Sequence, residues 1–113
     1  YHHHHHHDFS GTVDLTNLPE SLSQLAVYSN NFSGSLDFTR LPQYMTSLNV
    51  SSNDFEGEAD FSQLPQRLQF LNVGDTKLSG KIGASFGCSV FADNTGIEMK
   101  KLEPPQPKWM KLK

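Results

Sequence analysis

Leu22-x-x-Leu25-x-Val27-x-x-Asn30-x-Phe32-x-Gly34-x-Leu36-x-Phe38-x-x-Leu41-Pro42 recurs along this chain at one fixed spacing. Leu22 is followed at that spacing by Met45 and Leu68, Leu25 by Leu48 and Leu71, and Val27 by Val50 and Val73. Phe9, Phe32, Phe55 and Leu78 share one phase, with Gly11, Gly34, Gly57 and Gly80 two residues further on. Leu-Pro pairs begin at Leu18, Leu41 and Leu64. Repeats of about 20 to 50 residues, the range in which this one falls, mark stacked architectures in which each copy is one supersecondary unit.

Within a unit, Leu25 and Val27 alternate with Gln24, Ala26 and Tyr28, the period-two pattern of a short half-buried strand. Asn30 falls where the chain must turn, and Asn53 and Thr76 hold that place in the next copies. An Asn side chain bonds neighbouring backbone groups and tolerates unusual dihedrals, so stacked copies predict a ladder that satisfies a buried turn. Phe32 and Leu36 are expected to point inward around Gly34, whose missing side chain suits a bend or a close approach to the next coil. Leu36-Asp37-Phe38 alternates again and predicts a second, shorter strand on the far side. Pro42 prevents a long helix on the return leg, which is expected to be extended or a single 3₁₀ turn. One such unit buries too little apolar surface to offset the entropy of ordering its backbone, so the copies must stack.

With this spacing kept from about Phe9 to Ile82, the chain resembles the leucine-rich repeat family. Its Gly-x-Leu segment is similar to the plant-type and kinetoplastid-type variants, and the Leu-Pro and Asp-Phe-Thr/Ser phrasing to repeat proteins of trypanosomatid parasites. The resemblance implies a β-rich solenoid of the α/β type: a right-handed superhelix with a parallel concave β-sheet and an extended or 3₁₀ convex side. It also implies binding of a protein partner through the concave face, without catalysis or cofactor.

The pattern breaks after Ile82. Gly87 and Cys88 stand where a leucine and a proline belong, and a shorter frame fits better, with Val90 or Phe91 inward and Asn94 as the turn residue. Phe86–Ile97 is expected to be an irregular closing coil over Leu71, Val73 and Leu78. The chain thus divides into a tag-like stretch (1–7), a repeat domain (8–97) and a Pro/Lys-rich tail (98–113). In the tail, Glu103-Pro104-Pro105-Gln106-Pro107 reads as an extended linker. Lys108-Trp109-Met110-Lys111-Leu112-Lys113 has two open readings: a cap lying on the body, or a contact in which Lys108, Trp109 and Lys111 meet a partner or an anionic surface. At the other end, Tyr1 and six histidines resemble a purification tag and carry no functional weight. In repeat phase His2 coincides with Leu25, which predicts that the tag lies along the exposed first edge as a makeshift strand or meets a neighbouring molecule.

Charge is unevenly shared. Ten acids against four bases between Asp8 and Ile97 leave that stretch at −6, whereas two acids and five lysines leave Glu98–Lys113 at +3. The repeat body therefore repels nucleic acid, and the tail is suited to an acidic surface. The single Cys88 permits no intramolecular disulfide and no cysteine zinc cluster. Asn31-Phe32-Ser33 and Asn49-Val50-Ser51 fit the N-glycosylation pattern, and no apolar run reaches the length of a membrane span. Compartment stays open between cytoplasm and cell surface.

Outward strand positions form the natural contact surface: Gln24, Ala26 and Tyr28, then Ser47, Asn49 and Ser51, then Phe70, Asn72 and Gly74, flanked by Ser29, Ser52 and Asp75. Of these, Gln24, Tyr28, Ser47, Asn49, Ser51, Phe70, Asn72 and Asp75 are the candidate partner-binding residues, with Tyr28 and Phe70 as aromatic anchors. Asp14, Asp37 and Asp60 also recur at the period. Three aligned carboxylates could draw calcium, while Asp-x-Thr/Ser is also a local turn pattern that uses the carboxylate itself. No histidine outside the tag is available as a base for Cys88, and neither Gly-x-Ser-x-Gly nor a phosphate-cradling Gly-Lys-Ser/Thr loop occurs. The expected function is a non-catalytic interaction module. The alternative is an assembly element that associates through its exposed N-terminal edge or its basic tail.

Overall fold

The computed structural model describes residues 10–83 and 87–100, together with the backbone pairing of His2–His3. The chain forms a parallel-strand β-solenoid of about four turns, and no helix occurs among the described residues. Each turn contributes one strand to each of two sheets. The first sheet contains β1 (His2–His3), β3 (Gln24–Ala26), β5 (Ser47–Asn49), β7 (Phe70–Asn72) and β9 (Ser89–Phe91) in that order. The second contains β2 (Ser10–Gly11), β4 (Asn31–Gly34), β6 (Asp54–Asp60), β8 (Lys77–Gly83) and β10 (Gly96–Lys100). All the pairs are parallel. A parallel ladder requires a return connection between successive strands, and here that connection is the remainder of each repeat.

In the first sheet Leu25 pairs with Leu48 and Leu48 with Leu71, a register equal to the sequence repeat. The ladder continues beyond the strands themselves, as Val27 N–H donates to Asn49 O at 2.9 Å and Ser29 N–H to Ser51 O at 3.0 Å. The second sheet keeps a different register. Gly34 pairs with Phe55 rather than Gly57, and Gly57 with Leu78 rather than Gly80, so each coil slips two residues against its predecessor. A slip of two leaves every side chain on its original face, whereas a slip of one would turn the core outward. The second sheet can therefore shear against the first without losing its buried row.

Leu25, Leu48, Leu71, Val27, Val50 and Val73 from the first sheet meet Phe55, Ala59, Leu78 and Ile82 from the second in one core. The return legs add Leu22, Met45 and Leu68, and a further column of Leu15, Phe38 and Phe61. Phe38 stacks on Phe61 at 4.9 Å between ring centres, and Phe32 on Phe55 at 6.3 Å. The proline of each return leg opens one isolated turn, closed by Leu22, Met45 and Leu68 N–H groups on the carbonyls of Pro19, Pro42 and Pro65 at 3.0–3.1 Å.

Several expectations change in detail. The second strand lies earlier than Leu36–Phe38 in the first full copy, where it spans Asn31–Gly34, and reaches the corresponding phase only in β6 and β8. The left-handed residue of the turn is Ser29, Ser52 or Asp75 (φ 52–58°), one place before the ladder position. In the last coil Asn94 holds that left-handed place and Thr95 holds the ladder position, donating to Ala92 O at 2.6 Å. Val90 pairs with Leu71 and packs against the core, which leaves Phe91 facing outward. The last coil is short: its first-sheet register, Leu71 to Val90, falls four residues below the repeat, and its second-sheet register, Gly80 to Ile97, falls six below. The shortening lies in the return leg, and the two-residue shear persists. β10 also runs on to Lys100, past the expected domain limit at Ile97.

Candidate partner-binding face

Three rows of outward positions cross the first sheet. The leading row holds Gln24, Ser47, Phe70 and Ser89; Gln24 and Ser89 are exposed, Ser47 and Phe70 half-buried. The middle row holds Ala26, Asn49 and Asn72, all half-buried, and Phe91, which is 46% exposed. In the trailing row Tyr28 is half-buried, but Ser51 and Gly74 are buried. Ser51 thus departs from the outward position expected of it. Its hydroxyl donates to Asn49 Oδ1 at 2.6 Å and its N–H to the same oxygen at 3.1 Å, which folds it under the strand end. Asn72 repeats the arrangement, accepting from Gly74 N–H at 3.0 Å. These Asn side chains serve first as local turn bonds, with their amide nitrogens as the donors they can offer a partner.

The turn beneath this face is satisfied in depth. Asn53 Nδ2 lies 2.9–3.1 Å from the carbonyls of Val27, Val50 and Ser51, while its Oδ1 accepts from Phe32 N–H at 3.2 Å. Asn30 bonds Val27 O and Tyr28 O in the same way. Thr76 takes the place with one donor, its hydroxyl bonding Val73 O at 2.8 Å. Among the described residues no buried side-chain nitrogen or oxygen lacks a partner. A satisfied polar ladder fixes the strand ends, and with them the rows above.

Two features concentrate at the C-terminal side of the face. Phe70 and Phe91 meet with ring centres 5.5 Å apart at 44°, a tilted pair of the kind aromatic quadrupoles favour. Asp75, exposed and left-handed, accepts a bond from Asn94 Nδ2 at 2.8 Å. Phe91 is the residue that strand alternation alone left undecided between inside and outside. The signal that places it is the shortened step from Leu71 to Val90, which puts Phe91 in line with Asn72. Lys108, Trp109 and Lys111 lie outside the described residues.

The periodic aspartates are occupied by their own turns. Asp14, Asp37 and Asp60 each accept from the hydroxyl of Thr16, Thr39 or Ser62 at 2.5 Å and from the same residue's N–H at 2.8 Å. Those hydroxyl bonds are the main cause that holds all three carboxyls below the ordinary value, followed by the backbone bonds. Asp14 opposes the shift at Asp37, and Asp37 opposes it at Asp60, so the carboxylates do sense one another along the stack. No metal-holding group of three or more acidic, histidine or cysteine side chains occurs among the described residues. Cys88 is half-buried, and desolvation pushes its thiol up. No helix among the described residues is long and apolar enough to cross a membrane.

Comparison with protein-family models, with curated proteins and with solved structures finds no match for this chain.

Proposed function

We propose that this chain is a non-catalytic interaction module of the leucine-rich repeat kind, with kinetoplastid-type phrasing, that holds a protein partner on the outward, concave face of its first sheet. The observation that carries this reading is the contact of half-buried Phe70 with exposed Phe91, on a face that apart from Tyr28 and Gly74 is built of Ser, Asn, Gln and Ala. Aromatic side chains offer large contact area for little conformational entropy and dominate binding energy where they are surrounded by small polar neighbours. Gln24, Ser47, Asn49 and Asn72 supply the polar surround, with Tyr28 as a further ring on the N-terminal side. A glycan on Asn49 would stand in the middle row and block the face, so this mode of binding requires that sequon to be unused. The acidic balance of the repeat body favours a partner that is not a nucleic acid.

The test is capture from an extract of the source cells by the whole protein, compared with Phe91→Ala, Phe70→Ala and Tyr28→Ala variants whose strand signal in circular dichroism is unchanged. The expected outcome is one or more captured proteins that disappear with Phe91→Ala and Phe70→Ala. The same proteins retained by every variant would place the contact elsewhere.

A second reading, an assembly element, is favoured by one observation: β1 adds to β3 with His2 opposite Leu25 and His3 opposite Ala26. That edge accepts an additional parallel strand. Sedimentation of the protein without residues 1–7 tests it, since removal of β1 should promote self-association if the edge is an assembly surface. A monomer of unchanged stability counts against it.

A further inference from the structure

Charge is segregated among the described residues. All five of their cations lie away from the first sheet: Arg40 and Arg67 on the return legs, and Lys77, Lys81 and Lys100 on the second sheet. The charged residues of the first-sheet face are Asp75 and Asp93, both exposed. They stand at the end that carries Phe70 and Phe91. Asp75 N–H donates to Asp93 O at 2.8 Å, which sets Asp93 opposite Gly74 in the trailing row. The Asp75 carboxylate accepts from Asn94, whereas among the described residues no hydrogen bond or ion pair engages that of Asp93.

The surface leading to Asp93 is recessed. Ser51 and Gly74 are buried, between half-buried Asn49 and Asn72 on one side and Ser52 and Asp75 on the other. Gly74 keeps this floor low, since a Cβ there would lie 3.2 Å from Asn72 Oδ1 and 3.3 Å from Asp93 O. What a partner lays into the depression is constrained by charge. An apolar side chain would bury the Asp93 carboxylate unpaired, and an acidic one would meet two carboxylates with no cation beside them. A guanidinium suits both neighbours at once, because its plane stacks on an aromatic ring and its fork of donors takes a carboxylate at two points. Phe91 and Asp93 are two residues apart along the chain, roughly 7 Å in extended backbone, so one arginine head can touch both.

We infer that the first-sheet face recognises an arginine side chain of its protein partner, whose guanidinium stacks on Phe91 and pairs with the Asp93 carboxylate while its stem crosses the Gly74 floor. The inference rests on the partner-binding reading above and adds the chemistry of the group that is bound.

The test is a nuclear magnetic resonance titration of the isotope-labelled whole protein with N-acetylarginine methylamide, and with its uncharged isostere N-acetylcitrulline methylamide, at constant ionic strength. The arginine derivative should move the backbone signals of Gly74 and Asp93 along a saturating curve, and the citrulline derivative should not. Asp93→Asn and Phe91→Ala should each weaken that binding about two- to five-fold, the effect of one exposed ion pair or cation–π contact. Asp54→Asn removes the same charge from the second sheet and should leave the curve unchanged. Equal shifts with the citrulline derivative, no movement at Gly74 and Asp93, or equal sensitivity to Asp54→Asn and Asp93→Asn would each overturn the inference. Its failure is separable from that of the wider reading. A captured protein lost with Phe91→Ala but retained by Asp93→Asn keeps the face as a binding surface and removes the arginine from it, whereas one retained by both variants contradicts the reading and the inference together.

Discussion

Asn53 shows how much of one coil depends on a single side chain, since it serves four backbone groups drawn from two coils. Asn53→Ala removes all four bonds, although Val27 O keeps Asn30 and Ser51 O keeps the Ser29 N–H, and is expected to cost about 2–4 kcal/mol in urea unfolding, the range for breaking a buried hydrogen-bond network. Asn53→Thr should cost less, because Thr76 and Thr95 already occupy equivalent places, each hydroxyl donating to one carbonyl and accepting from one N–H. The glycines offer a second comparison at this scale. Gly57 and Gly80 both adopt positive φ, at 95° and 127°, but a Cβ on Gly57 meets nothing closer than 3.9 Å, while on Gly80 it would lie 2.5 Å from Ala59 O. Gly57→Ala should therefore lose about 1–2 kcal/mol from the dihedral alone, and Gly80→Ala distinctly more, as thermal melts of the two variants would show. The ladder was legible in the sequence because Asn, Asn and Thr recur in phase. The left-handed residue was not, because Ser29 and Ser52 belong to a type with no strong preference for that conformation, which the turn imposes on them.

At the scale of elements, the Asp-x-Thr/Ser turns act as hydrogen-bonded clips between the second sheet and the return legs. A carboxyl held below its unfolded pKa adds stability above that value and loses it as pH falls through the folded one. The contribution of Asp14, Asp37 and Asp60 is thus present above about pH 3.8 and disappears in more acidic solution. Replacing all three by Asn should leave a shallower fall in melting temperature below that pH, and a fall as steep as the parent's would mean the clips carry none of the acid sensitivity. The strands themselves were unequally legible. Leu25, Leu48 and Leu71 disclose the first sheet because its register equals the sequence repeat. The second sheet is hidden by its shear: a register two residues short of the repeat leaves no period of its own in the sequence. Only the geometry of stacked coils introduces it.

For the molecule as a whole, stability is shared between neighbouring coils, and each coil exists because the next one covers its core. The candidate face follows from that stacking. Gln24, Ser47, Phe70 and Asn72 were legible as outward residues from strand alternation alone, whereas Ser51 turned out buried, because Asn49 captures its hydroxyl and N–H, a local bond that alternation does not encode. Phe91 became visible only once the shortened last register was known. The central claim is the stack of parallel coils in two registers, and the most direct test is a set of backbone proton contacts measured by nuclear magnetic resonance. The account predicts contacts between Leu25 and Leu48 and between Leu48 and Leu71 in the first sheet, with Gly34 opposite Phe55 and Gly57 opposite Leu78 in the second. Contacts pairing Gly57 with Gly80, or an antiparallel pattern in either sheet, would contradict it.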